Sequence, residues 1–407
     1  MLRAVALAVL LASPALAQHN VWVVAKQAGP GVDFTNPWSA VLAAASGDTI
    51  LVKAGDYGAP YPNTGELTLP AKTLSITADT GAVVDFGSIT LKNMPEGYLL
   101  TLSGINFTSH SPDGYPGLAL EDCAGAVWLD HCKATGFPWI PQIQEGPSSA
   151  MKVIDCASVV ITHSQLDGKS SGLLAQNSSV YAFRSTITGG PAKCMPNWSP
   201  QCTSGFPGVL AKGGLLALQS CLVNGGAPDA APQCFQFGFC PCFSQAGPAL
   251  QLAEAAKVEA YDVQLTSSGI PPCGFAGSTT NIVSGQFNPT AGPGFEITGT
   301  SPLRVGQSVS FDITGQPGDG AWAVLAIPPA SVWTPKFHGP WLTGGDFIFL
   351  FMGTLPGSGG LSFNFSVPPL PPGFESVEFI AQGVRVAPGT GTLLADPYRG
   401  ILIDASF

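Results

Sequence analysis

The stretch Ala124–Gly136, AGAVWLDHCKATG, sets a carboxylate, an imidazole and an ammonium group at Asp130, His131 and Lys133, close to the indole of Trp128. His163 and Arg184 follow in segments of similar pattern, VITHSQLDG and VYAFRSTITGG, the second of which also carries Tyr181. These side chains suit proton abstraction beside a carboxylate group, a step that needs a base and a cation to hold the enolate-like charge. His131, His163 and Arg184 are therefore the candidate catalytic residues, and Trp128, Tyr181, Lys133 and Trp198 the candidate substrate contacts. The bland alternative is that the rungs of a repeating scaffold must be polar somewhere, and that these groups satisfy one another and solvent.

What positions them is a repeat. Aligning VWLDHCKATG, VITHSQLDG, VYAFRSTITGG, LALQSCLVNGG and VEAYDVQLTSSG gives columns of one character each. Val127, Val159, Val180, Leu216 and Val258 form one column, and Leu129, Ile161, Ala182, Leu218 and Ala260 a second. Cys132, Ser164, Ser185, Cys221 and Val263 form a third, and Ala134, Leu166, Ile187, Val223 and Leu265 a fourth. Within a unit, small or apolar residues recur at every second position, the period of a strand with one buried face. Val159 and Val180 lie 21 residues apart, and Pro/Gly-rich inserts at about 138–147, 190–206 and 226–247 lengthen the other units. Strand-period repeats of this length predict a solenoid whose coils stack to bury their inner faces. In that register His131, His163, Arg184, Ser220 and Asp262 fall on successive coils, while Asp130 and Trp128 alternate with inward residues and are expected to face solvent.

These coils resemble those of right-handed parallel β-helix proteins, the pectate-lyase-like superfamily. Trp38–Tyr57, WSAVLAAASGDTILVKAGDY, is similar to the start of such folds, a short helix capping the open end followed by a first strand. The likeness spans about residues 20–285 and implies the fold more strongly than an activity, because many functions share the scaffold. Val127–His131, VWLDH, looks like a pectate lyase motif whose aspartate helps bind calcium. That match implies Asp130 as a metal ligand, with Asp155 and Asp167 as partners, and Arg184 as the base. The pattern departs from the lyases in two respects: Arg184 is the only arginine of the repeat region, where the family motif carries two arginines and a proline, and a calcium site needs several convergent carboxylates, for which Asp155 and Asp167 are the only candidates beside Asp130.

The remaining sequence frames this solenoid. Residues 1–17 read as a signal peptide, with an apolar run from Ala4 to Ala12 and a small-residue cleavage site at Ala15-Leu16-Ala17. The expected organisation is a signal at 1–17, a right-handed parallel β-helix at 18–288, a linker at 289–293 and an antiparallel β-sandwich at 294–407. With 26 Asp+Glu against 16 Lys+Arg, and no basic cluster, the chain is a poor nucleic-acid partner. No later run of about 18 apolar residues predicts a membrane helix. The 50 Gly and 37 Pro, with 10% charged and 45% apolar residues, fit a turn-dense all-β protein.

Ten cysteines in an exported chain favour disulfides. Cys194, Cys202, Cys234, Cys240, Cys242 and Cys273 sit in Gly/Pro-rich segments; Cys123 and Cys156 hold matching turn positions within bonding range of each other; Cys132 and Cys221 are packing atoms. In the last segment Phe347, Phe349 and Phe351 share one strand face and are assigned to the core, while Trp333 and Trp341 lie in a loop suited to exposure. The expected protein is secreted or held at the cell surface, and it binds extracellular polysaccharide without catalysis or serves a surface-structural role. The alternative is a calcium-dependent polysaccharide lyase acting on uronate glycans by β-elimination.

Overall fold

The computed structural model describes residues 19–407 apart from 59–65, 111–113, 139–146, 193–203, 229–245, 268–279, 283, 291–294, 335–338 and 388–390. The chain is an all-β protein: a right-handed parallel β-helix followed by an antiparallel module. Three parallel sheets build the solenoid, one of ten strands and two of eight. A typical coil runs through Ala126–Asp130 in the ten-stranded sheet I, Lys133–Thr135 in sheet II and Met151–Ile154 in sheet III, then re-enters sheet I at Ser158–Thr162.

The inner columns are those of the alignment. Val127 pairs with Val159, Val159 with Val180, Val180 with Leu216 and Leu216 with Val258, all essentially without solvent exposure. In sheet II, Ala134, Leu166, Ile187, Val223 and Leu265 stack the same way. Each coil adds the same set of methyl and methylene groups to a continuous core, and no coil could bury them alone.

The corners are sharp because single residues adopt the left-handed conformation. Between sheets I and II these are His131, His163, Arg184, Ser220 and Asp262, with φ between 44° and 51°. Between sheets III and I they include Asp122, Asp155 and Asn177. Asn and Asp tolerate this region best among non-glycine residues, which accounts for the second set. Behind the first corner a buried hydroxyl ties coils together: Ser164 Oγ donates to the Thr162 carbonyl and accepts from the Cys132 N–H, and Ser185 repeats this with the Phe183 carbonyl and the Ser164 N–H. Cys132 and Cys221 occupy the same column, where burial pushes both thiols up to about 12.

Cys123 and Cys156 do stack on adjacent coils, but as two buried thiols in contact, not as a disulfide. The other six cysteines lie outside the described residues, as do the signal segment and Trp198. The helix Pro37–Ala43 caps the open end of the solenoid. Asn36 accepts the Trp38 N–H at 2.8 Å, and Trp38 packs edge-on against Phe86.

The last strand of the solenoid ends at Thr290, and the first strand of the C-terminal module, whose pairings are mostly antiparallel, begins at Glu296. Its strands form one mixed sheet that folds around a core of Phe295, Ile297, Phe311, Met352, Phe379 and Tyr398. Strand Gly339–Thr354 is one edge of that sheet. Here the assignment of Phe347, Phe349 and Phe351 is overturned: they are 45%, 49% and 54% exposed, while Met352 of the same strand enters the core. Alternation correctly groups the three phenyl rings on one face, but it does not say which face is covered. The Trp333 side chain lies outside the described residues, and Trp341 is partly buried against Phe347 and Phe349.

Candidate functional site

The outward face of sheet I is where the chemistry-bearing residues lie, and the C-terminal module covers it. Strands Ser376–Ala387 and Gly391–Ile403 run along the coils, and Ile380 packs with Leu99, Trp128, Val160, Tyr181, Phe183 and Ala217. Ile401 and Ile403 pack with Val21 and Leu51 of the first coils. Polar contacts follow the same line. Thr49 meets Ser376 at 2.9 Å, the Val21 N–H donates to Glu375 at 2.8 Å, and Gln219 donates to the Leu394 carbonyl at 3.1 Å. Arg399, with a side chain only 1% exposed, pairs with Glu378 and donates to Ser75 at 2.9 Å, while Thr101 donates to Glu378 at 3.3 Å.

The expectation that Trp128 and Asp130 face solvent is therefore corrected. Both point away from the solenoid interior, yet Trp128 is 2% and Asp130 5% exposed, and Tyr181 is 5% exposed. Trp128 and Tyr181 lie in the junction between the two modules, out of reach of a polymer in this arrangement. Lys133 is exposed on sheet II, beyond the corner.

At that corner the sequence column does converge. His131 and His163 stack with ring centroids 4.7 Å apart and planes 10° from parallel. Asp130 Oδ1 lies 3.0 Å from His131 Nδ1 and 3.6 Å from His163 Nδ1, and it accepts the Thr162 hydroxyl at 2.7 Å. One coil further, Arg184 pairs with Asp396 and meets Glu296 at 3.0 Å; both carboxylates come from the C-terminal module. Glu296 Oε1 also stands 3.9 Å from His163 Nε2. Neither ring nitrogen of His163 has a hydrogen-bond acceptor within range, and both are buried.

The electrostatics follow from this crowding. Burial alone would raise the Asp130 carboxyl, but His131, His163 and Thr162 outweigh it and hold the group well below the usual carboxylate range. Burial opposes charge on His163, yet the carboxylates of Asp130 and Glu296 prevail and raise it to about 9. Asp396, fully buried, is pushed up to about 7 by desolvation against the pull of Arg184. The cluster is short of positive charge, and protons make up part of the difference.

Calcium does not fit here. It takes six to eight oxygens, and the partners expected for Asp130 are elsewhere. Asp155 is exposed at the opposite corner, across a sheet I strand roughly 15 Å long. Asp167 pairs with Lys169 at 3.1 Å on sheet II. The three groups that do meet are Asp130, His131 and His163, whose ligand atoms all lie within 4.8 Å of one another.

Sequence reasoning missed Glu296, Glu378, Asp396 and Arg399, because Asp396 lies 212 positions from Arg184 with no local pattern joining them. One signal was available. Strands such as Val159-Val160-Ile161 and Leu215–Leu218 are apolar at consecutive positions, as befits strands covered on both faces.

No protein-family description matches the chain, and no curated protein matches it either. Among solved structures, pectate lyase Pel9A is similar at 12% identity, covering 68% of this chain and 78% of that one, with a TM-score of 0.38. Tailspike protein 2 of Escherichia coli O157:H7 bacteriophage CAB120 aligns at 13% identity, with 94% of this chain and 60% of that one covered and a TM-score of 0.28. The enzymatically active domain of tailspike protein 4 of bacteriophage CBA120 aligns at 11% identity, covering 87% and 64%, also with a TM-score of 0.28.

Proposed function

We propose that the protein is an exported, extracellular or surface-attached β-helix that holds polysaccharide without cleaving it, with the sugar contact on the C-terminal module and the solenoid as its rigid support. The observation that carries this reading is the row of exposed rings on the edge strand Gly339–Thr354, Phe347, Phe349 and Phe351, each about half accessible, with Trp341 and Trp322 packed at its side. Exposed aromatic surface of this kind, set on a sheet, offers apolar faces for the C–H faces of pyranose rings. No helix among the described residues is long and apolar enough to cross a membrane. Retention on insoluble pectate, alginate, cellulose and chitin tests the reading. The Phe349→Ala/Phe351→Ala variant should lose roughly tenfold in affinity, the worth of one to two ring contacts. Failure of the wild-type chain to be retained on any of these polymers would overturn it.

A second reading is a lyase acting on uronate glycans, favoured by the meeting of Asp130, His163 and Arg184 at one corner. It requires the C-terminal module to swing away, because Arg184 is committed to Glu296 and Asp396 in the closed arrangement. Formation of unsaturated uronides, lost in Arg184→Ala, would support this second reading and displace the first.

A further inference from the structure

We propose that Asp130, His131 and His163 bind a divalent transition metal of the zinc class, with Glu296 of the C-terminal module orienting His163 from across the junction. The donor set is two imidazoles and one carboxylate, which suits zinc, cobalt(II) or nickel(II) and not the hard, oxygen-seeking calcium ion. The spacing from Asp130 fits, and the two rings, stacked with planes 10° from parallel, need only turn about their Cβ–Cγ bonds to aim both Nδ1 lone pairs at one ion. Bonds of about 2.0–2.1 Å at tetrahedral angles leave ligand atoms about 3.3 Å apart, and Asp130 Oδ1 is 3.0 Å and 3.6 Å from the two Nδ1 atoms.

Three further observations point the same way. His163 is inside the junction with no hydrogen bond at either ring nitrogen: its nearest carboxylate oxygens, on Asp130 at 3.6 Å and Glu296 at 3.9 Å, stand just beyond direct bonding, a separation that an ion between Nδ1 and Asp130 would fill. If Nδ1 binds the ion, Nε2–H faces Glu296, the carboxylate–histidine–metal arrangement that fixes ring orientation and tautomer. The His131 side chain is 58% exposed, so the ion has a route in and one position open to water.

The ion sits at the seam: three solenoid side chains, Asp130, His131 and His163, hold it, and a module carboxylate, Glu296, steadies His163. Binding therefore also favours the closed arrangement of the two modules, because Glu296 contributes only when the module is docked.

The test uses the full chain, stripped with a chelator and titrated with Co²⁺ and then Zn²⁺ by visible spectroscopy and calorimetry. One ion per chain with the d–d bands of a four- or five-coordinate nitrogen and oxygen site is expected. His131→Asn keeps a residue that accepts the left-handed corner while deleting the imidazole, so the fold is retained. It should weaken binding at least about 100-fold, and Glu296→Gln roughly 10- to 100-fold. Cysteine-bound ions in the inserts would show thiolate charge-transfer bands and survive His131→Asn. No ion bound, unchanged affinity in His131→Asn, or a preference for Ca²⁺ would each overturn the proposal.

Discussion

Replacing Arg399 by Met probes the junction where it is most buried. The guanidinium is 1% exposed, lies 2.5 Å from Glu378 and donates to Ser75 of the solenoid; Glu378 is 15% exposed. Methionine preserves the apolar stem and removes only the charge, leaving a buried carboxylate without its counter-ion. Breaking a buried pair in this way costs about 3–5 kcal/mol. Glu378 keeps its donors Ser75 and Thr101, which places the loss near the lower end, about 3 kcal/mol.

The pH dependence has a definite sign. Burial raises the Glu378 carboxyl, but Arg399 outweighs it, and the net shift is downward. The stability this pair contributes is present above the unfolded carboxyl value of about 4.3 and is lost as pH falls through the lower folded value. In Arg399→Met burial is opposed only by the hydroxyls of Ser75 and Thr101, and the carboxyl takes up a proton more readily. The gap between wild type and variant should be largest near pH 7 and narrow towards pH 4. Urea unfolding at both pH values, followed by the fluorescence of Trp128 with the other tryptophans replaced by Phe, measures it. Adding Glu378→Met to the variant should restore most of the loss, because no unpaired charge is then buried. A single-variant loss below about 1 kcal/mol, or a double variant no better than the single, would refute this reasoning.

Two other predictions follow from the coils. Gly226→Ala would place its Cβ 1.7 Å from the Gly190 carbonyl oxygen, so the turn stack must shift; a loss of about 1–3 kcal/mol or more in thermal unfolding is expected. Asp155 acts as a left-handed corner with φ of 50°, so Asp155→Asn should be neutral and Asp155→Val should cost about 1–2 kcal/mol, with no change in ion binding in either case.

The solenoid was legible because its information is local and repeated. Val127, Val159 and Val180 announce the same inward position again and again, and a register error of one residue would turn every one of them outward. The corner column of His131, His163 and Arg184 was legible for the same reason. The cover over it was not, since Ile380, Glu378 and Asp396 meet the coils through contacts spanning some two to three hundred residues. Trp128 was misplaced because period-two patterning distinguishes inside from outside only when the outside is water. The three phenylalanines failed in the mirror sense: they share a face, and the core of that sheet lies on the other one. In both cases the pattern gave the pairing of residues, and a surface made by distant chain decided which side stayed dry.

Hydroxyl-radical footprinting of the intact chain tests the packing of the C-terminal module against sheet I most directly. Trp128 and Tyr181 should be as protected as the inner aromatic Phe107, while Phe347, Phe349 and Phe351 are oxidised readily. Oxidation of Trp128 and Tyr181 at the rate of those exposed rings would mean that the face is open, and the account of the junction would fail.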